Sequence, residues 1–442
     1  MRPGIWAAGL ILMFAALSPA IAATAAAVPI AAAQRVFAEA KVICDRDDGR
    51  LWGHSLCGPM MLVDPASRAI VANHADGLGA LSRDGKVWVG TLPDRVTMAN
   101  SPTSWAGLYW TQILWPPPDG ASRQVMIAHE LFHRIQPDLG IVLGDGDNAH
   151  LDTLDGRYWL QLEWRALASG LAAHDPAARL IAVNDALAFR AERYRLFPAA
   201  AANERLLEME EGVAEYTGVR LGLTTAEART AYTLGDLTKY VASPTFVRSF
   251  AYATGPAYGL LLDLYAPAWR TRLKSEPALD LLLRAALPPA PATTGLALQA
   301  RAALYGGPAL LVSEAHREAE RQSLLATLRA RFVAGSVLFI PTPHINFEFN
   351  PQAAQPLDAL GTVYPHLHAS GDFGVLEADK GALLAKDFTG VTVSAAGVDP
   401  SGLKGDGWTL VLAPGWSVAP GLRPGDLRAV PPPSGSVPHH RR

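Results

Sequence analysis

The sequence predicts an α+β protein with a mainly helical middle and an all-β end. Short apolar runs bounded by Gly, Asp, Asn and Pro lie between Met60 and Leu114, as is typical of strands. Helix formers then dominate, with apolar residues at three- and four-residue spacing. From Ser336 onward, strand-like runs alternate with Gly and Pro turns. These patterns divide the chain into a mainly β part, a helical part, an all-β domain and a polar, disordered tail, at residues 23–118, 119–333, 334–430 and 431–442.

Residues 1–22 have the features of a secretory signal peptide. Arg2 precedes an apolar run from Ile5 to Leu17, and small residues follow this run. The run is shorter than a membrane span. We therefore expect a secreted or periplasmic protein that keeps no membrane attachment once the signal is removed. An uncleaved N-terminal anchor is the alternative.

The composition argues against binding to nucleic acid. The net charge is −3 at pH 7 and 18% of the residues are charged, so the sequence offers no basic face for a polyanion. The two cysteines of the chain are Cys44 and Cys57. An even pair in an exported protein predicts a disulfide, and metal binding by the pair is the weaker alternative because a C-x-x-C spacing is missing.

The segment from Met126 to Gln136, MIAHELFHRIQ, contains the pattern H-E-x-x-H. Residues four apart lie on one face of a helix, so His129 and His133 can direct a ring nitrogen at the same metal ion. Zinc held by neutral imidazoles acidifies its bound water, and Glu130 can take the proton as that water attacks a carbonyl. The alternative is an ordinary amphipathic helix with two buried histidines.

A catalytic zinc site needs a third protein ligand, and Glu211 is the candidate. It opens the run EGVAEYTG in a helical stretch from about Glu204 to Gly222, and Glu215 follows four residues later on the same face. Glu211 can bind the metal while Glu215 accepts the free N–H of a ligating histidine. The alternative is that both are acidic residues on a solvated helix face.

These motifs resemble those of the gluzincins, the class of zinc metallopeptidases that includes thermolysin and the aminopeptidase N group. In that class the H-E-x-x-H helix is followed by a helix with a glutamate ligand in an E-G-x-A or E-x-x-x-D/E pattern, which Glu211 to Glu215 matches. The resemblance implies a zincin-like catalytic domain with one zinc ion bound by His129, His133 and Glu211. It also implies a Y-x-x-G tyrosine that stabilises the oxyanion, for which Tyr252 is the candidate and a core tyrosine is the alternative.

The resemblance covers about Trp105 to Leu264 and leaves two departures from the class. The ligand segments lie 78 positions apart (211 − 133), so an additional helical insertion is expected between them. The G-x-M-E-N exopeptidase motif is missing from the sequence, which leaves aminopeptidase specificity unsupported.

The strand before the zinc helix is the expected border of the substrate cleft. In metallopeptidases of this kind that strand commonly receives the substrate as an added strand. Here the resemblance implies the segment from Trp110 to Trp115, with Trp110, Gln112 and Leu114 facing the substrate. Plain packing of these aromatic and apolar residues is the alternative.

The sequence therefore predicts an exported zinc metallopeptidase that cleaves a peptide or protein substrate, with Glu130 as general base and Tyr252 as oxyanion donor. Two alternatives remain open. A non-catalytic exported protein could bind zinc or a peptide through a decayed peptidase site. The same centre could also hydrolyse a non-peptide amide or ester.

Overall fold

A computed structural model describes residues 28–289, 294–342, 345–349 and 354–432. The described residues form an α+β protein with several sheets, as the sequence predicts. The predicted signal peptide lies outside the described residues, as does the predicted tail from residue 433 onward.

The first sheet follows an N-terminal helix, α1 (Ile30–Asp47), that the sequence analysis did not anticipate. Its strands are β1 (Met60–Val63), β2 (Ala69–Ala72), β3 (Ser82–Asp84), β4 (Val87–Thr91), β5 (Ser101–Trp105) and β6 (Leu108–Leu114). Their order across the sheet is β3-β4-β2-β1-β6-β5, in which β1 and β6 are parallel and the other pairs are antiparallel. Among the described residues, β5 is therefore an edge strand and β6 is internal.

The helical part runs from the end of β6 to residue 334. Its helices are α2 (Gly120–Ile135), α3 (Leu154–Ala172), α4 (Pro176–Leu196), α5 (Ala200–Leu207), α6 (Val213–Gly222), α7 (Ala226–Lys239), α8 (Ser249–Tyr265), α9 (Leu279–Ala286), α10 (Gly295–Leu304) and α11 (Gly307–Arg329). A π-helical turn, Glu208–Gly212, joins α5 to α6. Single π turns of this kind are often found at functional sites. Among these described helices, none is long and apolar enough to cross a membrane.

The first sheet and the helices share one hydrophobic core. It joins Leu62 of β1, Ile113 of β6, Phe132 of α2, Tyr216 of α6 and Phe250 of α8, all essentially inaccessible to solvent. Helix α2 therefore lies between the sheet on one side and α6 and α8 on the other. Burial of such apolar surface fixes the rotation of α2 about its axis, and with it the direction of its polar side chains.

Two close backbone approaches bring the later helices to α2. A Cβ atom added to Gly218 of α6 would lie 2.6 Å from the carbonyl oxygen of Val125 on α2. A Cβ atom added to Gly255 of α8 would lie 2.1 Å from the carbonyl oxygen of Gly212 in the π turn. Glycine at these positions therefore allows α6 to approach α2 closely and α8 to approach the π turn that precedes α6.

The chain ends in two sheets packed face to face. Their strands are β7 (Val337–Pro341), β8 (Ile345–Phe349), β9 (Gln355–Pro356), β10 (Gly361–Tyr364), β11 (Leu367–Gly371), β12 (Gly374–Ala378), β13 (Ala382–Ala385), β14 (Gly390–Ser394), β15 (Lys404–Gly405), β16 (Trp408–Leu412), β17 (Ser417–Pro420) and β18 (Leu427–Val430). The strand orders are β17-β18-β7-β14-β13-β10-β9 and β15-β16-β12-β11-β8. Leu338 and Val391 of the first sheet meet Leu376 and Leu410 of the second in a separate core, which is a β-sandwich arrangement.

The predicted disulfide between Cys44 and Cys57 is confirmed. It joins the end of α1 to the segment before β1. The guanidinium of Arg134, on α2, donates hydrogen bonds to the carbonyl oxygens of Leu56 and Cys57 at 3.1 and 2.9 Å. The disulfide-closed segment therefore lies against the helix that carries the H-E-x-x-H motif.

Candidate metal centre

Helix α2 places the two imidazoles of the motif on one face. The Nε2 atoms of His129 and His133 lie 2.9 Å apart, and both side chains are largely buried. This is the geometry that the four-residue spacing on a helix predicts. Two ring nitrogens at this distance can contact a single small cation.

The π turn brings Glu211 to the same point. Its Oε2 atom lies 3.5 Å from the Nε2 atoms of both His129 and His133. Ligands bound to zinc at about 2.1 Å in a tetrahedron are separated by about 3.4 Å, so the three atoms match one triangular face of such a site. Within the described part of the chain, these residues form a group suited to holding a metal ion. The donor set therefore fits zinc and leaves a fourth coordination position for a small molecule.

A carboxylate fixes the tautomer of His129. The Nδ1 atom of His129 lies 2.7 Å from Oε2 of Glu215. A carboxylate accepts hydrogen bonds, so Nδ1 carries the proton and Nε2 directs its lone pair toward Glu211. The structure thus places Glu215 where the sequence analysis expects a supporting carboxylate.

Gln136 supports His133 as Glu215 supports His129. The sequence analysis did not identify Gln136. Its Nε2 atom donates to the carbonyl oxygens of Met209 and Glu210 at 2.8 and 2.9 Å. Its Oε1 atom must therefore accept, and it lies 2.8 Å from Nδ1 of His133. Gln136 thus links His133 on α2 to the backbone next to Glu211. The sequence signal was the glutamine three residues after His133, on the same helix face.

We expect Gln136→Leu to weaken zinc binding roughly 10- to 100-fold, the usual effect of removing such a supporting contact. The substitution removes the hydrogen-bond acceptor of His133 and leaves two carbonyl oxygens without their donor. Competition with a chelating dye measures the affinity. Gln136→Glu keeps an acceptor for His133 and should recover part of the loss, whereas equal affinity in wild type and Gln136→Leu would show that the contact is not used.

Glu130 lies next to the triad with an unsatisfied oxygen. Its side chain is 5% exposed, it lines the cavity described below, and its Oε2 atom has no hydrogen-bond partner among the described residues. Burial raises the pKa of the Glu130 carboxyl above its usual value. A buried carboxylate oxygen needs a hydrogen-bond donor, and a water molecule bound at the candidate metal centre would supply one.

Tyr252 extends over the triad from α8. Its hydroxyl donates to Oε2 of Glu211 at 2.7 Å, and its ring is parallel to that of His129 with 5.8 Å between the centroids. The close approach at Gly255 allows this position, because α8 contacts the π turn directly. The phenol therefore lies at the edge of the candidate metal site.

Arg248, at the start of α8, is a further site residue that the sequence analysis missed. Its Nη2 atom donates to Oε1 of Glu211 at 3.0 Å, and its Nη1 atom bonds Asp145. The guanidinium thus occupies Oε1 of Glu211, while Oε2, which accepts the Tyr252 hydroxyl, faces the two imidazoles. The signal in the sequence was its position four residues before Tyr252.

A buried ionic network anchors the π turn. Arg190 bonds Glu208 in this turn at 2.6 and 2.9 Å, and it bonds Glu163 at 2.7 Å. All three side chains are essentially inaccessible to solvent. Glu163 therefore belongs to a structural network, while Arg165 lies apart from it and donates to the carbonyl oxygen of Tyr305. Breaking such a pair leaves an uncompensated buried charge, so the network holds the turn in a defined place.

A cavity of about 610 Å³ opens in front of the triad. Its walls come from α2, the π turn, the end of α7 and the start of β5, where Ser101, Pro102 and the preceding Asn100 line it. The side chains of Tyr109, Tyr232 and Tyr240 add to the lining. The cavity is large enough for a few residues of an extended peptide.

The predicted substrate strand is wrong. Trp110 and Gln112 are fully buried, with their side chains bonded to the carbonyl oxygens of Trp105 and Thr97, and neither these residues nor Leu114 line the cavity. The reason is that β6 pairs with β1 on one side and β5 on the other. An added strand needs an unpaired edge, which β5 supplies in the described part of the sheet.

Comparison of the chain with protein-family models, with curated proteins and with solved structures found no match.

Proposed function

We propose that this protein is an exported zinc-dependent metallopeptidase whose first sheet and helices form a zincin-like catalytic domain of the gluzincin type. The observation that carries the proposal is the triangle of His129, His133 and Glu211, with the unsatisfied carboxylate of Glu130 beside it. A structural zinc site has four protein ligands and no use for a neighbouring base, whereas a catalytic site keeps one position open. The disulfide supports an oxidising, extracytoplasmic location.

The chemistry follows from the positions of the side chains. Zinc held by His129, His133 and Glu211 would polarise the scissile carbonyl and increase the acidity of the attacking water. Glu130 takes the proton of that water as the new C–O bond forms and passes it to the nitrogen of the leaving amine as the C–N bond breaks. The Tyr252 hydroxyl, which donates to Glu211 in this structure, would exchange that hydrogen bond for one to the carbonyl oxygen as negative charge develops there.

Metal analysis and peptide cleavage test this function together. The purified protein is expected to contain one zinc ion per chain and to cleave members of a random peptide library. A chelator should abolish cleavage, and added zinc should restore it. Zinc without cleavage of any peptide would favour the non-catalytic binding protein, and cleavage of only an ester or a non-peptide amide would change the substrate class. Absence of zinc binding would overturn the proposal.

A further inference from the structure

The charged groups on the cavity wall have partners or roles, with one exception. The three glutamates already described serve as candidate base, ligand and histidine support. Lys239 lies 3.4 Å from Asp236 and over the ring of Tyr240. Glu210 also lines the cavity, and its carboxylate has no ion pair or hydrogen bond among the described residues.

The backbone holds Glu210 in place at the wall. It lies in the π turn directly before Glu211, and both consecutive residues face the cavity. Its carbonyl oxygen accepts the hydrogen bond of Gln136, which also binds His133. Arg248, a cation in this region, is already bonded to Glu211 and Asp145. Glu210 therefore lies on the His133 side of the candidate metal centre.

A partly buried carboxylate without a partner is unfavourable, because it loses hydration and gains no hydrogen bond in return. A positively charged donor on a ligand would supply that hydrogen bond. Hydrogen bonds between charged groups are stronger than those between neutral groups. Tyr109 lines the same cavity and is 39% exposed, and an aromatic ring in the wall can add a second contact for a cation. These features favour a positively charged group on the substrate over a neutral or negative one.

We propose that Glu210 forms a subsite for a positively charged group of the substrate, an ammonium or a guanidinium, on the His133 side of the metal centre. The inference rests on the proposed peptidase function, since it names the substrate class of the same cavity. The ammonium can come from a lysine side chain or from a free N-terminus, and a guanidinium comes from arginine. Glu210 thus becomes a residue that determines specificity.

The test measures binding separately from cleavage. The full-length, zinc-loaded protein carries Glu130→Gln, so that bound peptides stay intact. The cavity follows α2 from Ser122 to Gln136, about 21 Å, which about six or seven extended residues span. Heptapeptides with lysine, arginine, glutamate or norleucine at each position in turn are titrated by calorimetry, with free and with acetylated N-termini. If acetylation of the N-terminus abolishes the preference for a cation, the bound group is the N-terminal ammonium. If the preference for lysine or arginine over norleucine persists in acetylated peptides, the bound group is a side chain.

We expect a cation to improve binding about tenfold over its neutral counterpart at one position. Glu210→Gln should remove this preference, and Glu210→Lys should reverse it in favour of glutamate peptides. Glu227→Gln, the same change at an exposed residue outside the cavity, should keep it. The proposal is overturned if no position prefers a cation, if no lysine or arginine peptide binds, or if the preference survives in Glu210→Gln.

Cleavage by the protein with Glu130 intact is scored independently. Hydrolysis of peptides without any cation preference would overturn the Glu210 subsite and leave the peptidase in place. Cation-selective binding without hydrolysis would overturn the peptidase and leave the subsite in place. Zinc content is measured for each Glu210 variant, so that a change in peptide binding is compared only between proteins with equal metal.

Discussion

Glu130→Gln is expected to bind zinc as wild type does and to hydrolyse peptides about a thousandfold more slowly, within the usual range for a lost general base. Gln has nearly the same shape as Glu but cannot accept the proton of water at neutral pH. The side chain is not one of the three candidate ligands, so the metal site should be unaffected. Steady-state cleavage of a fluorogenic peptide, together with metal analysis, measures both quantities.

The comparison with Glu227→Gln controls for the loss of one negative charge. Glu227 is exposed and does not line the cavity, so this variant should cleave at the wild-type rate. If Glu130→Gln cleaved peptides at the wild-type rate, the general base would be a residue other than Glu130. Loss of zinc from Glu130→Gln would instead show that Glu130 takes part in holding the metal.

Glu211→Ala is expected to lose most of the zinc affinity, and cleavage with it. Structural zinc sites with four ligands bind with about 10–16 kcal/mol in total, so one ligand corresponds to roughly 2.5–4 kcal/mol, a factor of about 60 to 700 in affinity. The substitution also frees Arg248 and Tyr252 of their bonds to this carboxylate. Competition with a chelating dye measures the affinity, and circular dichroism monitors the fold.

Glu215→Gln is the control that distinguishes the loss of a metal ligand from the loss of a carboxylate that supports a ligating histidine. An amide oxygen can still accept the N–H of His129, so zinc affinity should fall by no more than about tenfold to a hundredfold. A larger loss in Glu215→Gln than in Glu211→Ala would exchange the roles of the two glutamates. Full zinc affinity in Glu211→Ala would remove Glu211 from the ligand set altogether.

Local spacing was sufficient to propose the residues that the structure brings together at the triad. His129 and His133 lie four positions apart on one helix, and Glu211 and Glu215 lie four apart on another segment. Helical periodicity alone places each pair on one face. The π turn at Glu208–Gly212 was not foreseen, because this part of the chain is buried on nearly all sides and its residues define no single apolar helix face.

The order of strands was harder to predict because it depends on distant pairings. β5 has the sequence SPTSW, which is polar and contains a proline, so it gave no strand signal. The aromatic residues of β6 gave a strong signal, and the cleft was therefore assigned to the wrong strand. Arg248 and Gln136 were missed for a related reason, since each acts through a partner far away in the sequence.

The long insertion of α3, α4 and α5 between the ligand segments has a consequence for folding. A cation held jointly by α2 and the π turn would act as a reversible cross-link that closes this loop of the chain. Such a cross-link lowers the conformational entropy of the unfolded chain, because it holds the two ends of the loop together. The stabilisation grows slowly with loop length. The unfolding equilibrium of the helical part would then vary with the concentration of free zinc, so the protein would be most resistant to proteolysis where that metal is abundant.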